Sequence, residues 1–271
     1  MQEDEIIGFD ALYTSMGKCS KGVRRKAAVG RYCLFGMDEI LKLHQELVTG
    51  TYRARPTSKV KITYPKPRVA VATSFGGRGY QRSLNDNAVY PAMSKGFIRH
   101  NAACQTGKGT DWARQQVKLM MEREYRQHGP DGWCLLVDIR HYYDTMPHEV
   151  ANRRFERKLP YNVYARVRDV LDRQYTGEAG YSPGSQMVQL AGISVPDPID
   201  HYIKERLRAD KYVRFMDDSW ICHHSREQLV EWREAIRARY ATEGMELHPT
   251  KTKIVRLRDG FRFLGFIYLI A

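Results

Sequence analysis

Three aspartates in this sequence have the type and spacing needed for a shared chemical task. Asp217 and Asp218 are adjacent and lie between two short runs of β-forming residues, which predicts a tight β-hairpin with both carboxylates at its tip. Like charges this close repel each other unless a cation or a basic group lies between them. Asp138 lies in the apolar run 133–139, which is typical of a strand buried on both faces. A carboxylate there needs a partner, because desolvation of a lone charge is costly.

Together the three carboxylates could bind two divalent cations. Hard oxygen ligands suit Mg²⁺, and paired metal ions about 3.5–4 Å apart stabilise the attacking and the leaving oxygen in phosphoryl transfer. Taken singly, each acid has an ordinary explanation: a solvated turn for Asp217 and Asp218, and a helix cap or an ion pair for Asp138. Their combination in a basic chain favours metal binding.

The charge distribution predicts a polyanionic partner. The 271 residues include 44 Lys and Arg against 31 Asp and Glu, which gives a net charge of +13. Two blocks, residues 11–37 and 47–85, contain no acid at all. This segregation is typical of nucleic-acid-binding proteins, whereas a basic face that only aids solubility does not explain it. The cations expected to contact nucleic acid include Arg24, Arg25, Lys26 and Arg78.

Cysteine usage and hydropathy indicate the cellular compartment. Five cysteines, an odd number without a CxxC pair, indicate neither a disulfide framework nor a zinc site and favour a reducing cytoplasm. No apolar run is long enough to span a bilayer, and the acidic start of the chain lacks a signal-peptide pattern. We therefore expect a cytoplasmic protein without a membrane partner.

The elements that must position the aspartates are a mixture of helices and strands. Helices are predicted at residues 38–48, 82–98, 111–128, 147–159, 163–175, 187–207 with a break at Pro196 and Pro198, and 225–243. Strands are predicted at residues 59–64, 68–73 and 133–139, on both sides of the Asp217–Asp218 turn, and at 253–258 and 261–270.

Four local patterns add detail to these elements. The Gly-rich residues 74–81 are predicted to form a loop. Ser225 and Gln228 predict a capping box, and Asp259 with Gly260 predicts the turn of a hairpin between the last two strands. Adjacent side chains on a strand point to opposite faces, which argues against a metal site made by the pair His223 and His224.

Several segments, in the expected order, resemble motifs of reverse transcriptases. LLVDIRHYYDTMPH (135–148) and RFMDDSW (214–220) look like motifs A and C of that family. FRFLGF (261–266) is similar to the primer grip, and HPTKTKI (248–254) to the segment before it. YPKPRVA, the Arg78 region and NAACQTGKGTDWA (101–113) resemble the bacterial fingers region. The resemblance covers roughly residues 20–269.

Within this family the chain is most similar to bacterial and phage enzymes of diversity-generating retroelements. Their motif B usually has Gly-Ser, two variable residues and Ser-Gln. This chain has GSQMVQ at residues 184–189, in which Val188 replaces the second serine. Group II intron enzymes are less similar at this motif.

The resemblance implies an α+β fold (mixed α/β) with the fingers and palm of a right-hand polymerase. The palm would contain an antiparallel, ferredoxin-like sheet. Residues 1–131 would form the fingers with a basic N-terminal extension, and residues 132–271 the palm, with 151–180 partly fingers-like. The thumb is expected to be absent or reduced, and a basic helical accessory protein is a candidate partner.

The resemblance also assigns roles to individual residues. Asp138, Asp217 and Asp218 would hold two Mg²⁺ ions, with Mn²⁺ as the alternative, and the Ile139 carbonyl would add a ligand. Lys251 would protonate pyrophosphate, and Tyr143 would be a steric gate that selects dNTPs. The remaining residues implied in dNTP binding are Lys66, Arg68, Gly184 and Gln189, and those of the primer grip are Phe263, Leu264 and Gly265. Packing alone would also explain Tyr143, and solvation alone would explain Lys66, Arg68 and Lys251.

The sequence therefore predicts an RNA-directed DNA polymerase, a nucleotidyltransferase that extends a DNA or RNA primer with dNTPs on an RNA template. Two alternatives are a palm-derived nucleic-acid-binding or defence protein with untemplated or no polymerase activity, and a group II intron-like reverse transcriptase.

Overall fold

The structure is a computed structural model that describes residues 3–54, 57–64, 68–182 and 184–270. The α-helices in chain order are α1 (Asp4–Ile7), α2 (Phe9–Ser20), α3 (Ala27–Leu34), α4 (Gly36–Val48), α5 (Phe75–Leu84), α6 (Tyr90–Ser94), α7 (Thr110–His128), α8 (Tyr142–Thr145), α9 (His148–Lys158), α10 (Tyr161–Gln174), α11 (Gln186–Ser194), α12 (Asp197–His201) and α13 (Arg226–Ala241). The strands are β1 (Ser58–Ile62), β2 (Arg68–Ala72), β3 (Trp133–Val137), β4 (Tyr212–Phe215), β5 (Asp218–His223), β6 (Lys253–Arg256), β7 (Phe261–Phe263) and β8 (Phe266–Tyr268).

The chain divides into two compact units. One comprises Met1–Lys95 with Asn152–Ala191, and the other comprises Gly96–Ala151 with Gly192–Ala271. Their helices and antiparallel sheets confirm the predicted α+β class. Among the described residues, no helix combines the length and the apolar character needed to cross a membrane.

In the first unit, helix α5 begins where a loop was predicted. The Ser74 side chain accepts a hydrogen bond from the Gly77 N–H and so caps the helix, which starts at Phe75. A Cβ atom on Gly79 would lie 2.1 Å from the sulfur of Met16 on α2. The loop prediction for residues 74–81 was wrong because these glycines permit close helix packing instead of forming a turn. In the same unit, β1 and β2 form an antiparallel hairpin.

The second unit is built on a four-stranded antiparallel sheet with the order β4-β5-β3-β6. One face packs against α7 in a core that includes Cys134, Trp220 and Cys222. Leu135 and Ile221 alternate with these residues along β3 and β5, so they point to the other face, and they are fully buried as well. Helix α13 also contacts both strands. The prediction that β3 is buried on both faces is confirmed.

Helix α13 has half of the predicted capping box. The Ser225 hydroxyl accepts a hydrogen bond from the Gln228 N–H at 3.1 Å, so the N-cap is confirmed. The second hydrogen bond of a capping box would run from the Ser225 N–H to the Gln228 side chain. Here the Ser225 N–H donates to Nδ1 of His223 instead, and the Gln228 side chain donates to Glu231. The predicted proline break is confirmed, since α11 ends at Ser194 before Pro196.

The C-terminal hairpin forms at a different turn from the predicted one. Strand β6 pairs with β3, whereas β7 pairs with β8. Leu264 and Gly265 have φ values of 48° and 82°, and two successive positive φ angles suit a tight hairpin turn. The chain turns at Asp259 and Gly260, but the predicted hairpin between β6 and β7 was wrong, because the edge of β3 takes β6 as its partner.

Candidate active site

The hairpin of β4 and β5 places the paired aspartates beside the third one. Asp218 opens β5 opposite Phe215, and Met216 in the turn has a φ of 55°, a conformation that costs energy in a non-glycine residue. Val137 pairs with Ser219 on the neighbouring strand. The next residues in this register are Asp138 and Asp218, which therefore lie opposite each other at the end of the sheet.

A cavity of about 290 Å³ lies at this end of the sheet. Its lining combines two of the three aspartates with cations and with the start of the C-terminal hairpin. The polar and apolar side chains involved are those of Asp138, Asp218, Thr250, Lys251, Lys253, Arg262, Phe263 and Leu264. The sequence did not predict that Lys253 and Arg262 line this cavity, because single cations in a basic chain do not stand out.

The segment before β6 fixes the position of Asp138. The Lys251 ammonium donates to both carboxylate oxygens of Asp138, at 3.1 and 3.3 Å. The Asp138 carbonyl accepts from the His248 N–H at 2.8 Å and from the Thr252 hydroxyl at 3.1 Å. Asp138 is thus held in place through both its carboxylate and its backbone carbonyl.

Asp218 has the electrostatic environment of a cation ligand. Burial, and the charges of Asp217 and Asp138, raise the pKa of its carboxyl to about 7, whereas Lys251 acts in the opposite direction. A bound cation would relieve this repulsion. Carboxylate oxygens are the donors that Mg²⁺ prefers, so the residues present fit a divalent metal ion.

The Ile139 carbonyl, predicted to add a metal ligand, belongs to a short backbone pairing next to Asp138. Ile139 forms an isolated bridge with Leu247 and is 2 % exposed. The hydrogen bonds on either side of this bridge use the Asp138 carbonyl and the Arg140 N–H. Neither of these two hydrogen bonds uses the Ile139 carbonyl.

Tyr143 lies between a glycine of α11 and the hairpin turn. A Cβ atom on Gly192 would lie 2.8 Å from the Tyr143 hydroxyl, which also lies 3.7 Å from the sulfur of Met216. The neighbouring Tyr142 is buried and its hydroxyl donates to the Gly192 carbonyl. Sequence reasoning missed Gly192, because a glycine inside a helical pattern has no specific meaning without its neighbours.

A buried ion pair supports the hairpin from behind. Arg214 and Asp200 are both fully buried, and their closest nitrogen–oxygen distance is 2.7 Å. Burial opposes the charge of Arg214, but the Asp200 carboxylate outweighs it and raises the pKa of the guanidinium. Arg214 also donates to the carbonyl of Met216 at 3.0 Å, which ties the turn to the core. This pair was not predicted.

The predicted primer-grip residues follow β7 directly. Phe263 is buried and, with Leu264, lines the cavity that contains Asp138. The Leu264 carbonyl accepts two hydrogen bonds from Arg114 on α7, at 2.6 and 3.2 Å. Gly265 completes the turn and is exposed.

The other predicted site residues belong to the first unit. Lys66 lies outside the described residues, and Arg68 opens β2 with a side chain that is not described. Gly184 has a φ of 143°, and a Cβ atom there would lie 2.4 Å from the carbonyl oxygen of Val71. Gln189 is exposed on α11. The basic side chains are exposed too: Arg24, Arg25, Lys26 and Arg78.

The sequence also matches a family model. The model is described as reverse transcriptase (RNA-dependent DNA polymerase) and matches residues 61–268, a span that includes all three aspartates and Lys251. The chain belongs to the reverse transcriptase family. This confirms the family predicted from the motifs, and the family is one of RNA-directed DNA polymerases, which are nucleotidyltransferases. Reverse transcriptases generally use divalent metal ions.

Solved structures resemble this reverse transcriptase in fold. Telomerase from Candida albicans, in complex with a TWJ fragment of telomeric RNA, has a TM-score of 0.56 and 11% sequence identity, over 78% of this chain and 43% of that one. Apo telomerase from Candida tropicalis has a TM-score of 0.55 and 11% identity, over 79% and 47%. The matched part spans less than half of either telomerase chain. No curated protein matches the sequence.

Proposed function

We propose that this reverse transcriptase adds dNTPs to the 3′-end of a DNA or RNA primer on an RNA template by two-metal nucleotidyl transfer. The observation that carries the proposal is the meeting of Asp138 and Asp218 at the end of the sheet, in a cavity that also contains Lys251 and the predicted primer grip. Acids, a proton donor and a primer-binding segment are the parts that this reaction requires.

Asp138, Asp217 and Asp218 would hold two Mg²⁺ ions, with the Ile139 carbonyl as an additional ligand and Mn²⁺ as the alternative ion. The raised pKa of Asp218 supports this assignment, because burial and the two neighbouring aspartates outweigh the positive charge of Lys251. The ions would supply activation of the primer 3′-hydroxyl and stabilisation of the leaving pyrophosphate.

Lys251 would act as the proton donor to pyrophosphate. Its ammonium is exposed and lies at the carboxylate of Asp138, within reach of a ligand bound in the cavity. Lys253 and Arg262 line the same cavity and would attract phosphate groups by their charge.

Tyr143 would select dNTPs. Its ring is held against Gly192 and Met216, so it has little freedom to move aside for a ribose 2′-hydroxyl. Rejection by a packed ring requires such support, because a mobile side chain would yield to the extra oxygen.

The first unit would supply contacts to the triphosphate and to nucleic acid. Lys66 and Arg68 would bind the triphosphate, and Gly184 and Gln189 would lie at the nascent base pair and the template. The exposed cations would bind the phosphate backbone: Arg24, Arg25, Lys26 and Arg78. Residues 1–131 would act as fingers and residues 132–271 as palm.

The motif B segment at residues 184–189 supports membership of a diversity-generating retroelement. The enzyme would then work in the cytoplasm of a bacterial or phage-infected cell, together with a basic helical accessory protein that helps to hold the duplex.

The test is primer extension on a heteropolymeric RNA template with labelled dNTPs and Mg²⁺. We expect template-length DNA from the wild type and none from the Asp217→Asn/Asp218→Asn variant. Asp144→Asn is the matched control, since Asp144 is an exposed acid on α8. Extension that persists in the double variant would overturn the assigned metal site. Failure of the wild type to extend, even with the accessory protein from the native host, would overturn the polymerase assignment.

A further inference from the structure

Three metal-ligating side chains converge where β5 ends, away from the aspartates. Glu124 and His128 are four residues apart on α7 and therefore lie on one face of that helix. His224 immediately follows β5. One ligand atom from each of the three side chains lies within 4.8 Å of the other two. Six residues of extended chain, about 20 Å, separate His224 from Asp218.

The buried carboxylate of Glu124 has an oxygen that is free to bind a further ligand. Its side chain is fully buried, and within the described part of the chain neither carboxylate oxygen has a hydrogen-bond partner. The Lys211 ammonium lies 2.8 Å from Oε2, which makes an ion pair but leaves Oε1 without a contact of this kind. Buried carboxylates without hydrogen bonds are costly, so a second cation at Oε1 would be stabilising.

The two histidine rings stack on each other on the solvent side of Glu124. Their rings lie 4.1 Å apart with an interplanar angle of 30°, and both residues are exposed. His223 stacks on the other side of His224, with ring centroids 4.2 Å apart. The sequence argument that the side chains of His223 and His224 point to opposite faces was wrong, because His224 lies beyond the end of β5 and its ring stacks on that of His223. It also overlooked a partner on α7.

We propose that Glu124, His128 and His224 bind one Zn²⁺ ion. Two imidazoles with one carboxylate form a known zinc ligand set, with bond lengths of about 2.0–2.2 Å. Ligand atoms around a tetrahedral ion are then roughly 3.3 Å apart. The two stacked rings would have to rotate apart to point one nitrogen each at the ion, and their exposure leaves room for this. Imidazole nitrogens select Zn²⁺ over Mg²⁺, and water would complete the tetrahedron.

The ion would connect two elements that already pack together. It would join the C-terminal turn of α7 to the end of β5, the strand that begins with Asp218. The Lys211 ammonium would keep its contact with Oε2 of Glu124, because carboxylates that bind metal ions commonly have a second polar partner. The ion would thus hold two elements of the second unit together, and its binding does not depend on the polymerase reaction.

The test is isothermal titration calorimetry of the full chain with Zn²⁺ in the presence of excess Mg²⁺. We expect one Zn²⁺ per chain in the wild type and an affinity about 100-fold lower in His128→Ala and in His224→Ala. His223→Ala is the matched control, because its ring stacks on His224 without belonging to the ligand set, and this variant should lose much less Zn²⁺ affinity than either ligand variant. The Asp217→Asn/Asp218→Asn variant should bind Zn²⁺ as the wild type does.

Two further measurements separate ligand loss from misfolding. Co²⁺ should give the visible absorption of a tetrahedral site in the wild type but not in His224→Ala. Circular dichroism should be the same for both proteins, since the substituted side chain is exposed. Absence of stoichiometric Zn²⁺ binding, or an affinity unaffected by both histidine variants, would overturn the proposal.

Discussion

The Lys251 ammonium lies 3.1 Å from a carboxylate oxygen of Asp138, although 113 positions separate the two residues in the chain. Strand β6 brings them together, because it pairs with β3 directly after the segment that contains Lys251. One side chain thereby contacts the carboxylate that would hold a metal ion and also faces the cavity in which phosphates would lie.

Replacement of Lys251 should impair catalysis more than substrate binding. We expect Lys251→Ala to lower kcat for primer extension about 100-fold, the typical contribution of a proton donor. Lys251→Arg retains the charge but is a poor acid, so it should restore substrate binding without restoring kcat. Lys253→Ala, at a neighbouring cation of the cavity, is the control and should change mainly KM. Full kcat in Lys251→Arg would show that charge alone is required.

The pKa of Asp218 predicts a pH-dependent loss of stability without metal. This pKa is raised to about 7 in the folded state, so between about pH 4 and 7 the folded protein retains a proton that the unfolded chain has lost. Stability must then fall as the pH rises through this window. In EDTA, Asp218→Asn should raise the free energy of unfolding by ~1–3 kcal/mol at pH 8 and leave it unchanged near pH 4.

Urea denaturation at the two pH values measures this effect. Asp144→Asn, at an exposed acid, should show no such difference between pH 4 and pH 8. An Asp218→Asn protein that is no more stable than wild type at pH 8 would contradict the raised pKa.

The ion pair of Arg214 and Asp200 should be strongly coupled in stability. Arg214→Leu leaves a buried carboxylate unpaired, so we expect it to cost about 3–5 kcal/mol. The double variant Arg214→Leu/Asp200→Leu should cost much less than the sum of the single variants. Urea denaturation in a double-mutant cycle measures the coupling. The exposed pair Arg168 and Asp172 is the reference and should show much weaker coupling, because solvent screens it. A similar value for both pairs would refute this expectation.

Gly192 should control nucleotide selection through Tyr143. Tyr143→Ala should reduce the preference for dNTPs over rNTPs, measured as the ratio of kcat/KM values, by at least about 10-fold. Gly192→Ala brings a methyl group to 2.8 Å from the Tyr143 hydroxyl, so it should lower kcat/KM for dNTPs by displacing the ring. In the Tyr143→Ala background the same change should have little further effect.

Gly17→Ala on α2, where a Cβ atom meets open space, is the control. Additive effects of the two changes would disprove the contact.

The fold class and the three carboxylates were predictable because short stretches of sequence contain the patterns that indicate them. Asp217 and Asp218 are flanked by β-forming residues, and Asp138 ends an apolar strand, so short windows contain the relevant pattern. The Arg214–Asp200 pair was missed since an arginine in a strand is ordinarily exposed, and its partner lies beyond a helical segment. The turn at Leu264 and Gly265 was missed for a related reason. The choice between β3 and β7 as the partner of β6 is decided by tertiary packing, which a strand pattern does not contain.

The position of β3 in its sheet has a consequence for the order of events during protein synthesis. This strand leaves the ribosome first among the four, yet its neighbours β5 and β6 are both made much later. The residues that fix Asp138, from His248 to Thr252, come close to the end of the described chain. Chains emerge from the N-terminus, so the basic segments that we propose to bind nucleic acid are made well before the aspartates can assemble. A nascent chain would thus be able to hold RNA before it is able to copy it.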